Sequence, residues 1–171
     1  MKFRLHYRGP LHSNASVDRL QQIRRAIHPQ LATLWDSPAL AFRKTQDWAH
    51  PSKRATWFRE RGSFQCVPLV NQHLYSIATL HITLLRPGEP GSVLTKAGDI
   101  DNRLKSLFDA LRVPDVGQIP RGDSPQRDET PFFCLLDDDA LVTEVAVVTD
   151  RLLEPTDNEN VVELHSRKYS V

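Results

Sequence analysis

Two short acidic clusters, Asp99-Ile100-Asp101-Asn102 and Asp137-Asp138-Asp139, hold the residues of this chain best suited to chemistry. Carboxylates crowded in this way repel one another, and a fold keeps such repulsion when a cation or a proton relieves it. Hard oxygen ligands of this kind suit Mg²⁺ or Mn²⁺. Asp99 and Asp101 are two residues apart. In extended chain entering a helix their side chains point the same way, while Ile100 points into the core. Asn102 stands where an N-cap is expected, and the positive end of the helix dipole beside the cluster favours ionised carboxylates. Lys105, one turn beyond Asp101, can place an ammonium near the same ion or pair with Asp109 at i,i+4. The second cluster ends an apolar run and begins a strand. If the helix packs against that edge, Asp139 or Asp138 closes a coordination sphere with Asp99 and Asp101, and an ion held there activates water and polarises a phosphodiester. A lone Asp-x-Asp also arises in caps, surface loops and nucleotide-sugar enzymes, so a metal-dependent enzyme acting on a small phosphate substrate stays open on these residues alone.

The elements that must position these groups follow from periodicity. Phe3, Leu5 and Tyr7 alternate with Lys2, Arg4, His6 and Arg8, which predicts a strand with one buried face, stopped by Gly9-Pro10. Val17, Leu20, Ile23, Ile27, Leu31 and Leu34 recur at helical spacing behind Ser16 or Asn14 as a cap, with Pro29 expected to kink or divide the helix. Phe64 to Val70 and Tyr75 to Leu85 read as strands, the second apolar on both faces and so central in its sheet. Leu104, Leu107, Phe108 and Leu111 form one stripe of a helix from about Asn102 to Arg112. Residues 113–131 read as a long, exposed, flexible loop. Leu141 to Thr149 and Asn160 to Lys168 read as two antiparallel strands joined by a polar turn around Glu154 to Glu159.

Residues 36–62 show no sustained period. They mix Pro38 and Pro51 with Trp48, Trp57 and the basic group Lys53, Arg54, Arg59 and Arg61. Aromatic rings among cations suit a nucleic-acid surface, where bases stack and phosphates are neutralised. The alternative is a surface insertion whose tryptophans plug the edge of the core. Charge is divided in the same sense: residues 1–66 carry 12 Lys/Arg against 4 Asp/Glu, and the remainder 10 against 17. A basic half beside an acidic half fits a protein that grips phosphates on one surface and loads metal on another, unless the charges intermix on folding.

The run GDIDNRLKSLFDAL, Gly98 to Leu111, followed by LDDDALV, Leu136 to Val142, resembles the RusA-type Holliday junction resolvase family. That family's pattern is Asp-x-Asp-Asn-x-x-Lys-x-x-x-Asp-Ala-Leu, then a paired Asp-Asp before an apolar strand. The matched positions are Asp99, Asp101, Asn102, Lys105, Asp109, Ala110 and Leu111, and the likeness covers roughly residues 75–168. The resemblance implies an α+β fold, with a single mixed or antiparallel sheet of four to five strands and two main helices packed on it. It implies a single domain over 1–171 with an insertion at 36–73. It further implies a homodimeric, Mg²⁺-dependent endonuclease, Mn²⁺ being the alternative ion, that hydrolyses phosphodiesters of branched DNA such as the four-way junction in recombination and repair. Asp99, Asp101 and Asp139 would be the metal-binding catalytic carboxylates, Asp138 the neighbouring acid, and Lys105 an essential basic residue. DNA contacts would come from Arg86 and Lys96 ahead of the first aspartate, from Arg103, and from Lys53, Arg54, Arg59 and Arg61. The alternative in another class is a non-catalytic nucleic-acid-binding or accessory protein of a prophage or mobile element on the same scaffold.

The remaining features bound these readings. At 171 residues the chain fits one domain with its own core. No apolar run is long enough for a membrane span and no signal peptide is legible at MKFRLHYRGP, which predicts a cytoplasmic protein with no membrane partner. Cys66 and Cys134 form no metal spacing and read as reduced and buried. The seven histidines, His6, His12, His28, His50, His73, His81 and His165, show no ligand spacing and read as surface or satisfied core.

Overall fold

In a computed structural model, which describes residues 1–48, 50–86, 100–153 and 160–170, the chain is α+β. The strands are β1 (Lys2–Gly9), β2 (Arg59–Arg61), β3 (Phe64–Val70), β4 (Ser76–Arg86), β5 (Phe132–Leu136), β6 (Val142–Arg151) and β7 (Asn160–Ser170). The helices are α1 (Val17–Trp35), α2 (Pro38–Asp47), α3 (Arg54–Trp57) and α4 (Ile100–Leu111). The strands divide into a four-stranded sheet, β1-β7-β4-β6, and a three-stranded one, β2-β3-β5, rather than the one sheet expected. Among the described residues, no helix is long and apolar enough to cross a membrane.

The division has a local cause. Between β3 and β4 the chain turns a corner at Asn71 to Tyr75, where Tyr75 adopts a left-handed conformation with φ 48°. Asn71 is fully buried and holds the corner: its Oδ1 accepts from His73 N–H at 2.9 Å, and its N–H donates to Ser76 Oγ at 2.8 Å. The chain leaves this corner into the first sheet. β3 stays behind, paired with β2 through the two-residue turn Gly62-Ser63 and with β5 in parallel. Gly62 has φ +58°, the conformation a two-residue hairpin needs at its first turn position.

β1 is built as its alternation requires: Leu5 and Tyr7 are buried while Lys2, Arg4, His6 and Arg8 are exposed. It ends at Gly9 (φ +152°) because the Tyr7 ring folds back there to donate to Pro10 O; a Cβ on Gly9 would stand 2.6 Å from that hydroxyl. β4 lies inside its sheet, antiparallel to β7 and parallel to β6. β6 and β7 run in opposite directions as expected, yet they are not partners, because β4 lies between them.

α1 runs unbroken through Pro29 to Trp35, where a kink or division was expected. Its buried stripe of Leu20, Ile23, Ile27, Leu31 and Trp35 joins Leu107, Ala110 and Leu111 of α4 over the inner face of the first sheet. Packing of this kind outweighs the backbone hydrogen bond that Pro29 cannot donate. His28 is a satisfied core histidine: Nδ1 accepts from Phe133 N–H at 2.9 Å, and Nε2 donates to Asp128 O at 3.0 Å.

The segment 36–73 belongs to this body. Trp48 and Trp57 both pack on Trp35, and Trp35 and Trp48 also meet Phe133; with Trp35 and Trp57 at 0% and 1% exposure, the tryptophans plug the core edge rather than line an arm. The segment 113–131 is irregular as expected, but it is tied down. Arg25 of α1 clasps Glu129 at 2.9 Å and Asp123 at 3.0 Å, and Glu129 is 5% exposed. Ion pairs of this sort cross between the basic and acidic halves, so their charges intermix in part.

Candidate metal and nucleic-acid site

α4 forms where its stripe demands, burying Leu107, Ala110 and Leu111 and exposing Asp101 and Lys105, which are four residues apart on one face. The helix begins at Ile100, so Asn102 lies inside the first turn and is not its cap. The Asp101 carboxylate accepts from Asn102 N–H at 2.6 Å. Ser106 Oγ donates to Asn102 O at 3.2 Å and accepts from Ala15 N–H at 3.1 Å, which ties this turn to the loop before α1. Asp99 and Lys96 lie outside the described residues. Lys105 has no ion pair among the described residues; Asp109 instead accepts from Arg112 Nε and Gln118 Nε2, each at 3.3 Å.

The three acids after β5 have different fates. Asp137 is nearly buried and holds Arg59 through two contacts, Nε–Oδ1 at 2.9 Å and Nη2–Oδ2 at 2.5 Å. Asp138 caps the following turn by accepting from Ala140 N–H at 2.8 Å, and Asp139 is exposed within that turn. Asp137 is thus engaged within the fold, whereas Asp138 and Asp139 are exposed.

The two acidic groups do not meet within one chain. The chain passes from β4 through α4 and β5 to β6, which lies parallel to β4, and the contacts at the two ends of α4 set its direction. Its last turn is fastened to the end of β5, where Val113 N–H donates to Leu136 O at 2.8 Å, beside the acidic turn. Asp101 stands ten residues before Leu111, the last residue of α4, about 15 Å away along the helix axis at 1.5 Å per residue. Arg103, in the same turn as Asp101, donates to Leu11 O and is held below its ordinary pKa by burial and by Arg86 at the far end of β4. Val142, just after the acidic turn, is paired instead with Ala78 near the start of β4. The expected pocket joining Asp101 to Asp138 and Asp139 is therefore corrected: the helix does pack on that edge, but by its C-terminal end. Among the described residues, no group of three or more His, Cys, Asp or Glu side chains is placed to hold a metal.

The basic residues also sort themselves. Arg59 is committed to Asp137 and to the carbonyl of Ala55, and Arg61 donates to Pro114 O at 3.1 Å, so both are structural rather than the DNA contacts expected. Lys53 is paired with Asp47 at 2.7 Å. Arg54 is half-exposed over the Phe58 ring, 4.8 Å from its centroid. Arg24, 2% exposed, donates to Asp109 O at 2.8 Å and so satisfies a carbonyl in the last turn of α4; burial lowers its pKa.

A basic feature with no sequence signature lies elsewhere. The outer face of the four-stranded sheet holds an open cavity of about 560 Å³ lined in part by Lys2, Arg4, His81, His165 and Arg167. Each strand read alone shows only an ordinary solvent face; the register that gathers these side chains is long-range. Compared with models of known protein families and with curated proteins, the chain matches none.

Proposed function

We propose that this chain is a Mg²⁺-dependent endonuclease of branched DNA that works as a homodimer, its ion held by acids from two copies. The reading rests on the sequence pattern around Asp99, Asp101, Lys105 and Asp138-Asp139. One structural observation carries it. Asp109, Asp123, Glu129 and Asp137 are each matched to an arginine, whereas Asp101, Asp138 and Asp139 are exposed and lack a basic partner among the described residues. Since one chain holds Asp101 well away from Asp139, a second copy related by a two-fold axis supplies the missing acid, and symmetry makes two such sites. A divalent ion there would stabilise charge developing on a phosphodiester. Lys105, on the same face of α4 as Asp101, would bind the phosphate through its ammonium.

The test uses a labelled synthetic four-way junction and the linear duplex, each with and without Mg²⁺. Cleavage of the junction only with the ion is expected, and Asp101→Asn and Asp139→Asn should each abolish it while binding survives. Mixing the two inactive variants distinguishes the arrangement. A site shared between copies regains one intact centre per mixed dimer, whereas a site within one chain stays dead. An Asp101→Asn protein that cuts at the parent rate would remove the metal assignment.

The second reading, a non-catalytic nucleic-acid-binding protein, is favoured by the same separation of Asp101 from Asp139. Calorimetric titration with Mg²⁺, with and without DNA, decides between them: no ion binding in either case supports the non-catalytic protein.

A further inference from the structure

The open face of the β1-β7-β4-β6 sheet sets Lys2 and Arg167, two like charges, against one another beside Arg4. Residues paired across strands put their side chains on the same face. Lys2 is directly opposite Arg167, and Arg4 directly opposite His165, which is itself opposite His81. Like charges facing one another across strands are unfavourable. Lys2, Arg4 and Arg167 make no ion pair among the described residues, although Glu163, opposite His6, shares their face. The acid lining this cavity, Glu144, lies at the far edge and is occupied by His81 at 3.3 Å. Arg167 is held ready by its own neighbour: Nη1 donates to Tyr169 Oη at 2.7 Å, and the guanidinium lies 5.5 Å from that ring's centroid.

We infer that this face is a docking surface for the phosphodiester backbone of a nucleic-acid strand, an inference that rests on the DNA-directed reading above. Charge complementarity selects the occupant. Lys2 and Arg4 are two residues apart on a strand, about 6.7 Å, a step that suits successive phosphates of one backbone. A lone phosphate would satisfy one cross-strand pair and leave the next uncompensated. Tyr169, 38% exposed beside Arg167, adds a ring on which a base can stack. Contacts of this kind confer affinity without sequence preference and make it depend on salt.

The experiment measures binding of fluorescent single-stranded, duplex and junction DNA to the full chain in EDTA, where no cleavage can intervene, over a salt series. For Arg4→Ala/Arg167→Ala, affinity is expected to fall at least about ten-fold, and the slope of log affinity against log salt to drop by about 2, one unit for each lost contact. Arg121→Ala/Arg127→Ala makes the same charge change on the exposed 113–131 segment and should bind nearly as the parent. Arg4→Lys/Arg167→Lys should restore most of the affinity, which a merely misfolded protein would not. Parent-like binding by Arg4→Ala/Arg167→Ala, or a loss no larger than the loop control's, overturns this inference and leaves the nuclease reading standing. A parent that binds no nucleic acid overturns both. If the parent sediments as a dimer and Arg4→Ala/Arg167→Ala as a monomer, the face is covered by a second copy and the inference also fails.

Discussion

Arg59 and Asp137 form a two-pronged ion pair, at 2.9 and 2.5 Å, whose side chains are only 11% and 7% exposed. It joins β2 to the start of the acidic turn, and Asp137 N–H donates to Val70 O at 2.8 Å alongside. Two charges this buried are held mainly by each other, so removing one strands the other. Arg59→Met is expected to cost about 3–5 kcal/mol in urea unfolding, and Arg59→Met/Asp137→Leu to recover much of the loss. A single variant within about 0.5 kcal/mol of the parent would mean that Asp137 finds solvent instead.

That pair also marks what the sequence could and could not disclose. β1, α1, β4 and α4 were legible because each has a sustained apolar period, and α4 exposes Asp101 and Lys105 together as spacing predicts. The fate of Asp137 was not legible, because its partner is 78 residues away and nothing local to either residue announces the contact. The same holds for Lys2 and Arg167, which only the sheet register brings opposite one another. The separation of Asp101 from Asp139 follows from long-range contacts at the two ends of α4, Arg103 with Leu11 and Val113 with Leu136.

Glu129 anchors the irregular segment after α4. It accepts from Arg25 Nε at 2.9 Å and Nη2 at 3.2 Å and from Gln126 N–H at 2.9 Å, closing the turn in which it sits. Glu129→Ala removes all three contacts, and the segment should then open locally without global unfolding. Limited trypsin digestion reads this directly, since Arg121 and Arg127 are exposed within the segment. Cleavage there is expected to accelerate several-fold; an unchanged digestion rate would show that the segment is held by other contacts.

Lys168 links the two sheets by donating from Nζ to Leu69 O at 2.7 Å. Burial, aided by the nearby charge of Arg43, lowers its pKa from 10.5 to about 8. The folded state therefore loses this proton before the unfolded state does, and between these two values the unfolded chain binds more protons. Stability must rise with pH across that window, and the penalty for the buried ammonium is fully present below pH 8. Urea unfolding at pH 7, 9 and 10.5 should show a gain in the parent that is reduced in Lys168→Met. Identical pH profiles for the two proteins would contradict a buried ammonium at this position.

Lys105 offers the cleanest separation of function from stability. Its sequence neighbour Asp109 is engaged by Arg112 and Gln118, so the i,i+4 pair that would have made Lys105 structural is absent. The side chain is exposed on the helix face that carries Asp101, and Ala is a better helix former than Lys. Lys105→Ala should thus leave unfolding free energy within about 0.5 kcal/mol of the parent. If its ammonium meets a phosphate beside the ion, Mg²⁺-dependent cleavage of a junction should nonetheless fall by two orders of magnitude or more, about 2.7 kcal/mol or more of transition-state stabilisation. Loss of stability with unchanged cleavage would assign Lys105 to the fold; loss of neither would remove it from both.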